Sequence, residues 1–522
     1  MARLVSPQDV KAWLSDGNEL AFLDVREHGQ YGAAHPFFVV PLAFSVFERR
    51  LPDLVPKPGV RMVLVDEGDG VADAAAEHAE AMGYSDVHIV NGGAPAWAAA
   101  GYTLYAGVNV PSKTFGELLE LERDTPRLAA GEVRALQQDG TNHFIVDGRT
   151  FAEFSRFSIP GGVCCPNGEL ALRIGDLVPD PATTIVVNCA GRTRSILGAQ
   201  TLIDVGVPNP VFALENGTQG WFLAGLQLDS GASRKYPEES GRLELENRQK
   251  RARALAERAG AKHISARQTA EMLADERRTT YVLDVRTEEE FARSHIAGSR
   301  HAPGGQLVQA TDQWIGVRGA RTILIDDDMV RAPLAANWLS QLGHDVYIVE
   351  GGIDAAGEIV VSPSRFQAAA TIPEVIAPQD ALGDEVEIVD LRASMVFRSA
   401  HISGAEWSIR PRLQSAISNP TKQLVLIGSD DVVALAAKDL TKAGQSKVKR
   451  LGGEAEDWRA AGLNIVATPS QPTDEDCIDF LFFTAERHNA NEAASRQYLE
   501  WEIGLVNQLD DQERDSFRIV TP

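Results

Sequence analysis

A single cysteine with two arginines close behind it is the strongest chemical signal in this chain. The segment 187–195 reads VNCAGRTRS and contains Cys189, Arg192 and Arg194. The β-branched run 185–187 before it predicts a buried strand, and residues 195–202 after it predict an amphipathic helix. Backbone N–H groups at a helix start, the helix dipole and the two guanidiniums all stabilise an anion. The sequence therefore predicts a reactive thiolate in a loop that also binds anions.

Composition limits the classes of protein to which the chain can belong. Its 522 residues, of which 44% are hydrophobic and 24% charged, predict about three or four globular domains. The formal net charge of −23 argues against a nucleic-acid or anionic-membrane surface, because both need clustered cations. The N-terminus lacks a secretion signal and no long apolar run occurs, so the expected location is the cytoplasm.

Cysteine usage predicts neither a disulfide scaffold nor a metal site. The 4 cysteines are too few for a scaffold and lack the paired spacing of zinc ligands. No metal and no cofactor are expected. Cys164, Cys165 and Cys477 are interpreted as packing residues, although Cys164 and Cys165 could also supply a resolving or acceptor thiol.

A repeated module organises the chain. An apolar strand that ends in Asp-x-Arg recurs four times, at Asp24 and Arg26, Asp147 and Arg149, Asp284 and Arg286, and Asp390 and Arg392. A second buried strand follows each copy at a nearly fixed distance. The residues just after that strand are Asp66, Cys189 and Asp326, each 42 positions from the Asp, and Gly428, 38 positions on. The same place in the module therefore holds the thiol in only one copy.

The repeat also predicts the fold class and the domain boundaries. A third strand in each copy ends in glycine, and tryptophan follows it in three copies, at Trp97, Trp221 and Trp458. Strands that alternate with helices imply an α/β fold of mostly parallel sheets with helices on both faces. The predicted segments are domains 1–108, 109–232, 261–362 and 363–468, a charged connecting helix 233–260, and a partly helical tail 469–522. The apolar residues of the tail are expected to pack on another module or on a second subunit.

These motifs together resemble the rhodanese family of sulfurtransferases. The matching features are the Asp-x-Arg strand end, the cysteine loop that opens a helix, and the glycine turn followed by tryptophan and Ala-Gly. The resemblance covers residues 1–467 and implies four tandem domains, of which only the second carries the catalytic cysteine, Cys189. It assigns the donor-binding loop to Ala190, Gly191, Arg192, Thr193, Arg194 and Ser195, and a structural ion pair to Asp147 and Arg149.

Two further positions near the loop are predicted to support it, Asn216 and Trp221. Asn216, Thr218 and Gln219 follow the third strand, and ligands of parallel sheets bind beyond the carboxyl ends of the strands. These side chains either line the cleft or form a turn that satisfies its own polar groups.

The resemblance implies a two-step transfer of sulfur. The Cys189 thiolate attacks the outer sulfur of an anionic donor, thiosulfate or a small persulfide, and forms a cysteine persulfide. A thiol or cyanide then removes that sulfur. Because Asp66, Asp326 and Gly428 replace the cysteine in the other modules, and carboxylates would repel an anionic donor there, one site per chain is expected.

Two alternatives remain open from the sequence. The chain could be a sulfur-relay or scaffold protein whose thiol-free modules bind partners, as a homodimer or with a protein of a sulfur pathway. It could also be a cysteine phosphatase, since that class has a related loop. Four residues separate Cys189 from Arg194, one fewer than in those phosphatases, which favours a single sulfur over a tetrahedral phosphate.

Overall fold

The fold is built from repeated parallel sheets. The structure, a computed structural model, describes residues 2–238, 244–355, 359, 361, 371–383, 385–488 and 491–521. Within these residues the chain forms four five-stranded sheets flanked by helices, and each sheet takes its strands from one repeat of the sequence. The predicted α/β class with tandem, mostly parallel sheets is confirmed. Among the described residues, no helix combines the length and apolar character needed to cross a membrane.

The first two modules occupy the N-terminal part of the chain. The elements of the first are β1 (Arg3–Val5), α1 (Pro7–Trp13), β2 (Leu20–Asp24), α2 (His28–Ala33), β3 (Val40–Pro41), α3 (Phe47–Leu54), β4 (Arg61–Val65), α4 (Val71–Ala81), β5 (Val87–Val90) and α5 (Gly93–Ala99). The second follows with α6 (Val110–Arg123), β6 (Arg127–Leu128), α7 (Ala130–Gln138), β7 (His143–Asp147), α8 (Phe151–Arg156), β8 (Val163–Cys164), α9 (Asn167–Leu177), β9 (Thr184–Asn188), α10 (Thr193–Asp204), β10 (Val211–Leu214) and α11 (Gly217–Leu223).

Within the segment predicted as a connecting helix, 233–260, the structure has the helix α12 (Leu245–Arg258); residues 233–238 are not helical, and residues 239–243 lie outside the described chain. The third module contains β11 (Lys262–Ile264), α13 (Ala266–Ala274), β12 (Thr280–Asp284), α14 (Glu288–Arg293), β13 (Arg300–His301), α15 (Gly304–Gln309), β14 (Arg321–Ile325), α16 (Arg331–Gln341), β15 (Asp345–Val349) and α17 (Gly352–Ala355).

The fourth module and the tail complete the chain. The fourth module contains β16 (Val375–Ile376), β17 (Val386–Asp390), α18 (Ser394–Ser399), β18 (His401–Ile402), β19 (Glu406–Trp407), α19 (Leu413–Ala416), β20 (Gln423–Ile427), α20 (Asp430–Lys442), β21 (Val448–Leu451), α21 (Ala455–Ala460) and β22 (Ile465–Val466). The tail contains α22 (Phe482–Ala485), α23 (Glu492–Gly504) and α24 (Asp511–Arg514). Short 3-10 turns lie at Phe44–Val46, Thr311–Gln313, Pro378–Ala381, Arg410–Arg412, Glu486–His488 and Leu505–Gln508.

All four sheets share one strand order. The first is β1-β5-β4-β2-β3, the second β6-β10-β9-β7-β8, the third β11-β15-β14-β12-β13 and the fourth β16-β21-β20-β17-β19. The pairings of the second sheet are all parallel. Each module therefore brings the carboxyl ends of its central strands to one edge of its sheet, where parallel α/β folds bind ligands.

The modules group into two compact units. One unit comprises Met1–Ala12, Ala21–Gly107 and Ser364–Phe482, and so contains most of the first and the fourth modules. The other comprises Trp13–Leu20, Val108–Pro363 and Phe483–Pro522, and so contains the second and third modules with the tail. The Cys189 loop belongs to this second unit.

The strand before the cysteine is buried on both faces. Ile185, Val186 and Val187 of β9 are each 0% exposed, because β9 lies between β10 and β7 with helices over the sheet. A continuous β-branched run is typical of such a central parallel strand. The rigid strand places Cys189 at the edge of the sheet where α10 begins.

The Asp-x-Arg motif forms the same ion pair at the same strand end in each module. In every copy the arginine binds back to the aspartate two residues before it, through two or more hydrogen bonds. It also donates to a carbonyl eight residues further on. These donors and acceptors are Arg26 and Ala34 (2.6 Å), Arg149 and Phe157 (2.7 Å), Arg286 and Ser294 (2.6 Å), and Arg392 and Ala400 (2.8 Å). The repeat therefore reflects a structural need, a buried ion pair that fixes the strand end to the following turn.

In the unit that holds the first and fourth modules, His78 lies between two carboxylates. Its Nδ1 is 2.9 Å from Glu48 and its Nε2 is 3.2 Å from Asp439, and Arg410 binds both carboxylates as well. Burial alone would lower the pKa of His78, but the hydrogen bonds and charges of Asp439 and Glu48 raise it above its ordinary value. A protonated His78 thus joins α3, α4 and α20.

We expect His78→Gln to weaken this contact by about 1.5 to 3 kcal/mol near pH 6, because it removes charged hydrogen bonds. A raised folded-state pKa gives a contribution that is fully present below the unfolded value of about 6.5 and is lost as pH rises through the folded value. The difference between variant and wild type should therefore shrink near pH 8.5. Hydrogen exchange of α4 peptides, corrected for intrinsic rates, measures it at each pH.

The exposed His295→Gln in the third module is the matched control, and it should leave α4 unchanged. An equal loss of α4 protection at both pH values would show that His78 does not act through its charge.

Candidate active site

Cys189 lies directly after β9 and is only 2% exposed. Its Sγ is 3.2 Å from the Oγ of Ser195, which is itself 2.9 Å from the carbonyl of Arg192. The serine hydroxyl has one proton, so it can donate either to that carbonyl or to the sulfur. If this hydroxyl rotates, it donates a hydrogen bond to a thiolate at Cys189.

The backbone of the loop offers a set of amide donors around the sulfur. Within the described chain, the N–H groups of Gly191 to Ser195 have no hydrogen-bond acceptor, whereas Ile196 already donates to the carbonyl of Arg192. The first N–H groups of a helix have no partner inside the helix and favour an anion. The loop can therefore bind a sulfur anion attached to Cys189.

In two other modules a carboxylate accepts hydrogen bonds from the amides of the corresponding loop. Asp66 accepts hydrogen bonds from the amides of Gly68, Gly70 and Ala72, at 2.8 to 3.1 Å. Asp326 accepts from the amides of Val330 and Ala332, both at 3.0 Å. In these modules a side chain of the loop itself binds several of the loop amides and places a negative charge where an external anion would lie.

The third module keeps one arginine that the sequence analysis overlooked. Arg331 follows Asp284 by 47 positions, the same distance at which Arg194 follows Asp147. It pairs with Glu290, as Arg194 pairs with Glu153. The third module therefore lacks the thiol but keeps the counterpart of Arg194.

Both arginines of the Cys189 loop are held by carboxylates. Arg194 forms two hydrogen bonds with Glu153, at 2.9 and 2.7 Å. Burial alone would raise the pKa of Glu153, but the bonds from Arg194 lower it to about 2. Arg192 binds Glu117 at 2.7 and 2.8 Å and also contacts Glu120. The two cations line the loop, but each is already neutralised.

The carboxylates that hold Arg192 come from α6, a helix that precedes the first strand of the second module. Lys113, Glu117 and Glu120 lie at i, i+4 and i+7, on one face of this helix. Gly116 allows close packing, since a Cβ there would lie 2.8 Å from the Cγ2 of Thr193. Sequence reasoning missed this face, although the spacing of its charges could have indicated it.

The residues after β10 brace the loop from the other side. The amides of Thr218 and Gln219 donate to the carbonyls of Cys189 and Ala190, at 2.9 and 3.2 Å. Asn216 accepts from Arg192 at 3.3 Å. At Gly217, with φ of 53°, a Cβ would lie 2.3 Å from the Cys189 carbonyl, so only glycine fits.

Two predicted supporting groups lie behind the loop. Trp221 is 1% exposed and donates to the carbonyl of Gln227, so it packs in the module core. Asp147 and Arg149 form a buried pair, and Asn188, the residue before the cysteine, donates to Asp147 at 2.6 Å. These groups fix the end of β9 and do not line the cavity at Cys189.

The α23 helix of the tail packs on the second module, one of the two expected arrangements, whereas Ile478 and Asp479 earlier in the tail bond to the first and fourth modules. Glu502 of α23 accepts a hydrogen bond from Thr193 Oγ1 at 2.8 Å and lies 3.3 Å from Lys113 Nζ. Lys113 also binds the hydroxyl of Tyr498. Burial alone would raise the pKa of Glu502, but Lys113 and Thr193 lower it below its ordinary value. Sequence reasoning could not place this helix, because it lies about 300 residues from the loop.

A cavity of about 230 Å³ opens onto Cys189. Its walls combine the loop with side chains from α6, α15 of the third module, and the tail. The lining residues are Val108, Asn109, Lys113, Glu153, Cys189, Ala190, Gly191, Arg192, Thr193, Arg194, Gln306, Gln309, Ala310, Gln313, Thr484, Arg487, Tyr498 and Glu502. Four cations and two carboxylates are among them, and Glu117 and Glu120, which bind Arg192 from behind the wall, supply two further negative charges.

Cys164 and Cys165 are both buried in the second module. Burial raises the pKa of Cys164 to about 12 and raises that of Cys165 well above its ordinary value. Neither forms a thiolate near neutral pH, which favours the packing interpretation over a resolving thiol.

Comparison with known proteins includes a match over nearly the whole chain. A family model described as a rhodanese-like domain matches residues 6–100, 129–224 and 265–358. The chain is similar to the crystal structure of a thiosulfate sulfurtransferase from Pseudomonas aeruginosa, at 39% identity and a TM-score of 0.90, covering 99% of this chain and 100% of that one. A protein of unknown function from Rhodopseudomonas palustris, described as a possible tyrosine phosphatase, is 30% identical over 22% of this chain and 91% of its own, with a TM-score of 0.19. A search of curated proteins finds no match.

We expect Gly116→Ala to destabilise the unit by about 1 to 3 kcal/mol, because the new methyl group would push α6 away from Thr193. Gly131→Ala is the matched control, since a Cβ at this position in α7 meets nothing within 4 Å. The control should be neutral or gain up to about 1 kcal/mol from helix propensity. Denaturant unfolding of both variants measures the difference, and equal stabilities would contradict the close packing of α6.

Proposed function

The chain belongs to the rhodanese family and is an enzyme of the sulfurtransferase type, and from this premise we propose that Cys189 carries a sulfane sulfur between two small molecules. The donor is anionic, thiosulfate or a small persulfide, and the acceptor is a thiol or cyanide. We assign the reaction to the predicted module 109–232, completed by residues of the third module and the tail. The observation that carries the proposal is the buried Cys189 thiol within a ring of unpaired loop amides.

In the first half-reaction the Cys189 thiolate attacks the outer sulfur of thiosulfate. A new S–S bond forms at the cysteine as the old S–S bond breaks, and sulfite leaves with the electron pair. The terminal sulfur of the resulting persulfide carries the negative charge, which the loop amides stabilise by hydrogen bonds. No general base is needed when the thiol is already ionised.

In the second half-reaction the acceptor attacks the terminal sulfur of the persulfide. Cyanide forms a C–S bond and leaves as thiocyanate, while a thiolate forms an S–S bond and leaves as a new persulfide. In either case the electron pair of the broken S–S bond returns to Cys189 and restores the thiolate. The enzyme thus alternates between a free and a sulfur-loaded form, which is ping-pong catalysis.

Cations at the wall of the cavity support an anionic donor. Lys113 and Arg487 line the cavity beside Tyr498, in addition to the two arginines of the loop. The polar side chains of Gln306, Gln309 and Gln313 add neutral hydrogen-bonding groups from the third module. This use of a thiol-free module as a wall of the cavity favours an enzyme over a scaffold in which that module only binds partners.

We expect thiosulfate to add the mass of one sulfur atom to the peptide that contains Cys189, as seen by mass spectrometry of the intact protein and its digest. Cys189→Ser should abolish the adduct and lower turnover of thiosulfate with cyanide by about three orders of magnitude or more. Cys477→Ala, which removes another buried thiol, is the matched control and should keep both. A folded wild-type protein that takes up no sulfur would sink the proposal.

The phosphatase alternative makes the opposite prediction. The loop from Cys189 to Arg194 is one residue shorter than the loop of cysteine phosphatases, and a tetrahedral phosphate needs the longer one. We expect no hydrolysis of an aryl phosphate above the rate of Cys189→Ser under conditions in which the wild type turns over thiosulfate. Cys189-dependent hydrolysis at a comparable rate would favour the phosphatase.

A further inference from the structure

The arginines nearest to the thiol are poorly suited to bind an external anion. Arg194 is bound by Glu153, and Arg192 is bound by Glu117 and Glu120. A donor that recruited either guanidinium would have to replace an existing, largely buried ion pair. A group that recruits an external anion must therefore lie elsewhere in the cavity wall.

Two further cations line the same cavity from outside the loop. Lys113 comes from α6 and Arg487 from the tail, and both lie against the ring of Tyr498. The Nζ of Lys113 is 5.0 Å from the ring centroid, and the Cζ of Arg487 is 3.6 Å from it. One aromatic side chain thus holds two positive groups close together at the cavity wall.

We propose that Lys113 and Arg487, and not the arginines of the Cys189 loop, bind the anionic group of the sulfur donor. They would bind the sulfonate oxygens of thiosulfate, or the carboxylate of a small organic persulfide, and hold the departing sulfite. The identity of the donor rests on the proposed function, whereas the anion subsite rests on the geometry of the cavity.

Hydrogen-bond capacity supports this role for Lys113. An ammonium group has three N–H donors. One of them contacts the Tyr498 hydroxyl, and a second faces Glu502 at the long distance of 3.3 Å. Glu502 also accepts from Thr193 at 2.8 Å, so it keeps a partner when Lys113 turns toward a ligand. Lys113 therefore retains a third donor for an anion, and Oε1 of Glu502 keeps its hydrogen bond from Thr193.

The repulsion between Lys113 and Arg487 also favours an anionic ligand at this part of the cavity. Like charges held near each other in a partly buried site repel, and an anion between them removes that repulsion. Burial and the charge of Arg487 both oppose the positive charge on Lys113, which Glu502 and Tyr498 stabilise. A negative ligand at the cavity would relieve the repulsion between the two cations, whereas a neutral ligand would not.

The test uses two alkylating agents that react with the same thiolate and differ in charge. Iodoacetate carries a carboxylate and iodoacetamide is neutral, so the ratio of their rates at Cys189 reports recruitment of the anion. We expect Arg487→Gln and the double variant Lys113→Met with Glu502→Gln to lower this ratio about fivefold to tenfold, because the iodoacetate rate should fall much more than the iodoacetamide rate. The double variant removes the buried ion pair as a unit, which avoids leaving a single buried charge. The matched control is Arg267→Gln, which removes an 88% exposed arginine of the third module.

A second measurement separates binding from chemistry. For thiosulfate turnover we expect the same variants to raise KM about tenfold while kcat falls less. An equal loss of both alkylation rates would show that the residues only maintain the loop, and an unchanged ratio would show that they bind no anion. Loss of the ratio in Arg192→Gln or Arg194→Gln, with the Lys113 and Arg487 variants unaffected, would return the role to the loop arginines.

The two proposals can fail separately. A charge-dependent alkylation ratio in a protein that does not take up sulfur from thiosulfate would reject the proposed donor and keep the anion subsite. Sulfur loading with an alkylation ratio that is insensitive to Lys113 and Arg487 would reject the subsite and keep the sulfurtransferase.

Discussion

In the first three modules, the loop after the central strand depends on how the first backbone N–H groups of one helix find a negative partner. The helix that follows the central strand begins at the sheet edge, where these amides cannot bond within the helix. In the first and third modules, Asp66 and Asp326 supply a carboxylate from the strand end itself. In the second module the same position is Cys189, and the amides remain available to a sulfur anion. One side chain thus determines whether the loop is a closed structural turn or a reactive site.

A second substitution in the same loop changes the charge around the thiol. In the first and third modules the arginine of the Asp-x-Arg pair also binds a carboxylate just after the loop aspartate, Glu67 or Asp327. Ala190 occupies this position in the second module, and NH1 of Arg149 has no hydrogen-bond partner among the described residues. The module with the thiol has therefore lost two negative side chains relative to its neighbours. Both losses lower the electrostatic cost of a thiolate or persulfide at this point.

The features that were predictable from the sequence are those set by local order along the chain. The repeated Asp-x-Arg strand end and the fixed distance to the next strand revealed the modules, because parallel sheets impose the same spacing in each copy. The fourth sheet has the strand order of the other three, although the family model matches only the first three modules. The loop around Cys189 was predictable because its strand, its amides and its arginines are neighbours in sequence.

The partners of the loop were not predictable, because they come from segments outside the repeated pattern. Glu117 and Glu120 lie on α6, which precedes the first strand of the second module, and Glu502 lies far away in the tail. Charged residues on helices normally face water, so sequence alone gives no reason to bury these. Their burial follows from the arginines and lysine of the site, which need compensating charges once water is excluded.

Charge balance explains why the site extends beyond one module. Four cations, Lys113, Arg192, Arg194 and Arg487, are accompanied by four carboxylates, Glu117, Glu120, Glu153 and Glu502. Of these eight groups only Arg192, Arg194 and Glu153 belong to the repeated part of the module, so those three alone would leave Arg192 without a carboxylate. A buried ionic network is favourable only when every member has its partner. The α6 helix and the tail supply the missing partners, and the smallest unit able to hold this loop in its observed form therefore includes both.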